Sequence, residues 1–106
     1  MKRGGAIMPY AFYMDVPIDQ HIYAKIREKL DIAPPRGLIM HLVVKREGGL
    51  RYIDVWESKE VFEETFEAQI HPKVHQTFEE IGYQPDRHVE AEPLEILHLW
   101  SPLAPT

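Results

Sequence analysis

The chain contains no cysteine and no asparagine, and its only serines are Ser58 and Ser101. Without cysteine there is no disulfide, thiol nucleophile, thiolate zinc site or iron–sulfur cluster, and the cytoplasm is the default expectation for its location. Glycine is sparse, with six in 106 residues, and neither Gly4-Gly5 nor Gly48-Gly49 has the spacing of a phosphate loop or a dinucleotide fingerprint. Positive charge is in deficit: 12 Lys and Arg against 17 Asp and Glu give a net charge of −5, which argues against a nucleic-acid partner. No apolar run approaches the roughly 20 residues of a spanning helix, so no membrane partner is expected. The charged start from Met1 to Gly5 lacks the apolar stretch that would make it a signal peptide.

What is present is globular composition, 44% hydrophobic and 27% charged. The length fits one domain over 1–106, with a core of about 8–100. A domain this small buries only about two-thirds of its unfolded surface, so a second subunit would add stability.

The pattern predicts a strand over Ile7–Val16, with Tyr10, Phe12, Met14 and Val16 on one side and Ala11, Tyr13 and Asp15 on the other. Pro17 suits a first helical position. Ile18, Ile22, Ile26 and Leu30, with Tyr23 beside them, form one helical stripe, which Pro34, Pro35 and Gly37 end. Strands follow over Leu38–Lys45 and Leu50–Glu57, joined by a two-residue turn at Gly48-Gly49. That turn sets Val43 opposite Asp54 and His41 opposite Trp56. One hairpin face then carries Met40, Leu42, Val44, Ile53 and Val55; the other carries Ile39, His41, Val43, Tyr52, Asp54 and Trp56.

Ser58 is a good N-cap, with Glu60 favourable in the first turn. Phe62, Phe66, Ile70, Val74 and Phe78 recur at helical spacing. Pro72 predicts a kink near Ala68–His71, and Gly82 stops the helix. The last strand is expected within His88–Trp100, with Pro93 at a bulge or edge.

The fold class is therefore α+β. The order is that of a ferredoxin-like βαββαβ domain, a four-stranded antiparallel sheet with two helices on one face. The wholly apolar hairpin face is expected under the helices. His41, Tyr52, Asp54 and Trp56 would then lie on the open face. That face is too apolar to leave in water, so a homodimer is expected, with two sheets packed face to face around a polar-aromatic cleft.

Gly48-Gly49, the run from Asp54 to Ser58, Phe62 and Pro72 together resemble the dimeric α+β barrel superfamily. Within it they are most similar to the small antibiotic-biosynthesis-monooxygenase-like proteins, over roughly Pro9 to Trp100. The resemblance implies a homodimeric α+β barrel and an oxygenation that needs no added cofactor. A small aromatic or polyketide-like molecule would be held by Tyr13, Tyr52, Trp56 and His98, with His41 or Asp54 as base. Those residue types suit the chemistry, which needs a base within hydrogen-bond reach in a dry pocket. The alternative is a non-enzymatic ligand-binding or structural homodimer, with Tyr52 and Trp56 as interface packing and Asp54 paired to His41 or Arg51.

His71 and His75 stand four apart, as metal-binding pairs do, but Pro72 lies between them and spacing supplies no third ligand, so no metal site is expected. Haem is a third reading, because His75 occupies a place similar to the iron-ligating histidine of the haem-degrading relatives. Those enzymes also carry an Asn on the first strand and a second Trp in the helix. This chain has no Asn, and Phe66 is the aromatic nearest that Trp position.

Overall fold

The computed structural model describes residues 8–30, 34–84 and 89–100. In chain order they form β1 (Tyr10–Val16), α1 (Gln20–Lys29), β2 (Leu38–Arg46), β3 (Gly49–Trp56), α2 (Lys59–Thr65), a π-helical turn (Phe66–Ile70), α3 (His71–Ile81) and β4 (Glu92–Leu94). The four strands make one antiparallel sheet in the order β2-β3-β1-β4. This α+β arrangement is compatible with a ferredoxin-like fold. Ile7 and His88, placed at strand ends by the sequence pattern, lie outside the described residues. No described helix is long and apolar enough to cross a membrane.

Local chemistry fixes most boundaries. The Asp19 carboxylate accepts the backbone N–H groups of His21 and Ile22, both at 2.9 Å, so α1 starts at Gln20 and not at Pro17. Ser58 Oγ accepts the Val61 N–H at 3.1 Å and caps α2 as expected. Gly82, with φ 71°, ends α3. Between α2 and α3 the His71 N–H bonds to the Phe66 carbonyl, a wider π-type ring. Pro72 has no N–H to offer the preceding turn, and the predicted kink takes this form. Pro93 lies in the short edge strand β4, opposite Phe12.

The hairpin register differs from the expected one by two residues. Glu47 and Gly48 make the turn, with Gly48 at φ 84°, while Gly49 is the first residue of β3. A side chain on Gly49 would collide with the Val16 carbonyl oxygen, so this glycine serves the close approach of β1. His41 therefore pairs with Asp54, Val43 with Tyr52, and Leu38 with Trp56. A shift of two preserves each face of the hairpin. Ile39 is the exception. A bulge between Leu38 and Met40 moves it to the opposite face, where it packs with Ala11 and Val55.

The helices cover the face that the sequence reading left open. Trp56 is only 1% exposed and its ring meets Phe62 of α2 edge-on at 5.2 Å; Tyr23 of α1 packs on Tyr52 at 5.6 Å. Ile18 and Ile26 pack against Leu50, with Val74 and Phe78 of α3 joining them. Met40, Leu42 and Val44, expected beneath the helices, are exposed on the other face together with Leu94. The physical reason is that the polar atoms of the aromatic face satisfy one another, so burying them costs little. Its larger aromatic area then decides which face is covered.

Candidate functional site

Three elements bring one hydrogen-bonded chain together on the covered face. Because His41 of β2 and Asp54 of β3 are directly paired, their side chains stand side by side, and His41 Nδ1 lies 2.7 Å from Asp54 Oδ1. Trp56 is two residues beyond Asp54 on the same strand and face, and its Nε1–H donates to Asp54 Oδ2 at 3.1 Å. Tyr23, on the inner side of α1, places its hydroxyl 2.9 Å from His41 Nε2. The order is Tyr23, His41, Asp54, Trp56.

The donors and acceptors can be assigned from this network. The Asp54 carboxylate accepts from both the indole and the imidazole, which puts the ring proton of His41 on Nδ1. Nε2 then offers a lone pair, and the Tyr23 hydroxyl donates to it. The Asp54 side chain is 9% exposed and the His41 side chain 28%, so the chain runs from the interior toward the cavity, with Tyr23 on its outer nitrogen. Burial holds the Tyr23 phenol above its ordinary pKa; the Arg27 charge opposes that rise and the Asp54 charge adds to it. Tyr52, whose ring stands edge-on to His41 at 5.3 Å, is pushed up further by burial, with Tyr23 and Asp54 adding to the rise. Both phenols keep their protons at neutral pH and act as donors.

This chain borders a cavity of about 1070 Å³ between the sheet and the helices. Tyr23, His41 and Tyr52 form one wall. Trp56, Phe62 and Phe66 form another, in ring contacts of 5.2 and 5.7 Å. His71 extends the second wall by stacking on Phe66 at 5.6 Å with 9° between the rings. The π-helical turn contributes Phe66, Glu67 and Ile70 to the lining. An apolar slot with a few convergent polar groups is the usual form of a small-molecule site.

Six residues are expected in a cleft on the open sheet face; the structure instead brings His41, Tyr52, Asp54 and Trp56 together on the face that the helices cover, with Trp56 packed against Phe62 of α2. Tyr13 lies on the opposite sheet face, where its ring carries the Arg51 guanidinium at 4.5 Å. Arg51 is paired there with Asp15, at 2.7 and 3.0 Å, and not with Asp54. His98 is exposed on the segment after β4 and stacks on Trp100 at 5.8 Å, apart from the cavity. His75 is exposed, with Nδ1 3.7 Å from Glu79, and does not line the cavity. Among the described residues no three His, Asp or Glu side chains are grouped to hold a metal ion.

Tyr23 is the member of this candidate site that the sequence pattern does not single out. Its signal was its place beside, not within, the four-residue stripe of α1.

Compared with known proteins, the chain matches no protein-family model and no curated protein.

Proposed function

We propose that this chain binds a planar aromatic molecule bearing a phenolic or enolic hydroxyl between its sheet and its helices. His41, held by Asp54, is the base that takes the hydroxyl proton. One observation carries this reading: His41 is locked on its Nδ1 side to a buried carboxylate, while its Nε2 side opens through a single Tyr23 hydrogen bond onto an aromatic-walled cavity. A substrate hydroxyl that displaces Tyr23 meets the Nε2 lone pair beside the aromatic walls. Asp54 then stabilises the imidazolium that forms.

The electron-rich anion can react with dioxygen directly, as the resemblance to the small monooxygenases implies. The anionic carbon of a ring methylene bonds one oxygen atom of dioxygen, giving a hydroperoxide. The oxygen–oxygen bond then breaks as the carbon loses its second hydrogen, and the methylene becomes a ketone. The other oxygen atom leaves as water with both hydrogens, so the carbon is oxidised and dioxygen is fully reduced. The second reading is a ligand-binding protein without turnover, favoured by the Tyr23 hydroxyl already occupying Nε2.

The strand order supports assignment to the ferredoxin-like βαββαβ class. The exposed row of Met40, Leu42, Val44 and Leu94, beside the part of the same face that Ile96 and Leu99 cover, supports a homodimer in which two sheets close an α+β barrel.

The test is oxygen consumption with an anthrone alongside direct binding of the same compound. Uptake above background that falls about a hundredfold in His41→Ala, with binding retained, supports the base. Binding without uptake leaves the second reading. No binding of any aromatic hydroxyl compound overturns both.

A further inference from the structure

We infer that the aromatic ligand carries a carboxylate beside its hydroxyl, and that Arg27 is the residue that takes it. This rests on the aromatic-binding reading above and adds the charge of the ligand.

Arg27 is the only Lys or Arg lining the cavity among the described residues. The lining acids are already engaged: Asp54 accepts from His41 and Trp56, and Glu67 stands 3.8 Å from His71. Among the described residues the Arg27 guanidinium has no ion pair or hydrogen bond. It is therefore the one strong cation lining the cavity that has no partner among the described residues.

Its placement relative to Tyr23 gives it a use. Arg27 follows Tyr23 by four residues on α1, so the two side chains share a helix face, and helical side chains lean toward the N-terminus. The guanidinium is thereby carried back toward the phenol. Its charge acts on that phenol, opposing the rise that burial produces. A hydroxyl and a carboxylate on adjacent ring carbons present their oxygens side by side. Such a molecule sets its hydroxyl at Tyr23 and His41 and its carboxylate on the planar fork of Arg27. Arg27 is exposed, so the bound carboxylate keeps part of its water and the pair avoids a large desolvation cost. The rest of the molecule lies between aromatic walls that offer an anion nothing. In a chain of net charge −5, one local cation has to supply the attraction.

The test compares 1-hydroxy-2-naphthoate with 1-naphthol, by titration calorimetry on the full chain, its Arg27→Ala variant and its Arg27→Lys variant. The naphthoate is expected to bind the native chain about tenfold more tightly than the naphthol. Arg27→Ala removes that advantage and leaves naphthol affinity within about twofold, while Arg27→Lys keeps part of it because a point charge replaces the fork. Circular dichroism checks that each variant is folded. If naphthoate binds equally to native chain and Arg27→Ala, with naphthol also binding, the inference is overturned and the aromatic cavity stands. If neither compound binds the native chain, the cavity reading falls and this inference with it.

Discussion

His41 and Asp54 face each other across the β2–β3 ladder, and the 2.7 Å contact between them is the shortest link in a chain that reaches from a buried indole to the Tyr23 phenol. The antiparallel pairing makes the contact: directly opposed residues bring their side chains together on one face. The pair is thus a product of register, and a ladder displaced by two residues would set His41 against Trp56.

Asp54→Asn keeps the shape of the site and removes the charge that orients the imidazole. An amide can offer its N–H2 to His41 and reverse the ring tautomer, so Nε2 no longer presents a lone pair. Oxygen uptake is expected to fall by about a hundredfold or more, with ligand affinity changed much less. Steady-state kinetics beside binding titrations measure the two separately.

Trp56 can be divided into its volume and its N–H. Trp56→Phe leaves Asp54 Oδ2 without its indole donor and should cost about 1–3 kcal/mol. Trp56→Ala also opens a cavity under Phe62 and should cost about 3–5 kcal/mol. Urea denaturation distinguishes them, and an undiminished stability in Trp56→Phe would mean that the indole hydrogen bond contributes nothing.

The acid limb of stability should depend on Asp15 and Glu80. Arg51 holds the Asp15 carboxyl below its ordinary pKa through a direct hydrogen bond, and Lys29 does the same for Glu80. A carboxylate with a depressed folded-state pKa stabilises the protein above its unfolded pKa of about 4, and that stability is lost as pH falls through the folded value. Asp15→Asn and Glu80→Gln should each flatten the fall in melting temperature on the acid side and change it little near neutrality.

The alkaline limb should carry the mark of Tyr52. Burial raises its folded-state pKa, so the phenol contributes stability that is complete below the unfolded value of about 10 and is lost as pH rises beyond it. Tyrosinate absorbance should show Tyr52 titrating last, after the more modestly raised Tyr10 and Tyr23. In Tyr52→Phe that group should be missing and the alkaline loss of stability smaller.

The exposed apolar row of Met40, Leu42, Val44 and Leu94 predicts association. In sedimentation the native chain should run as a dimer, and Leu42→Lys, which puts a charge in the exposed row, should shift it toward monomer. A native monomer at micromolar concentration would remove the barrel from the proposal.

Alternation and capping carry most of the architecture in plain sight. Ser58 and Gly82 bound the second helical segment, Pro72 marks its π-helical turn, and period two sorts the hairpin into its two sets. Which set lies under the helices is not in the period. Met40, Leu42 and Val44 make as good an apolar row as Val43, Tyr52 and Trp56, and the decision rests on polar atoms finding partners inside. The sharing of Asp54 between His41 and Trp56 is a three-dimensional fact, and so is the use of Gly49 for close approach and not for the turn. Tyr23 was hidden for the same reason. Next to an isoleucine stripe its ring reads as packing, and only the position of β2 shows where its hydroxyl points.

The Tyr83 hydroxyl donates to the Pro17 carbonyl at 2.9 Å, and Lys29 meets Glu80 at 2.9 Å. The segment leading into α1 and the last residue of α1 are thus both tied to the C-terminal end of α3 and the chain just beyond it. The wide backbone ring after α2 holds Phe66 in the cavity lining. A guest too thick for the slot would be accommodated by that ring giving way, so replacing Phe66 should alter the range of shapes admitted more than any change on α1.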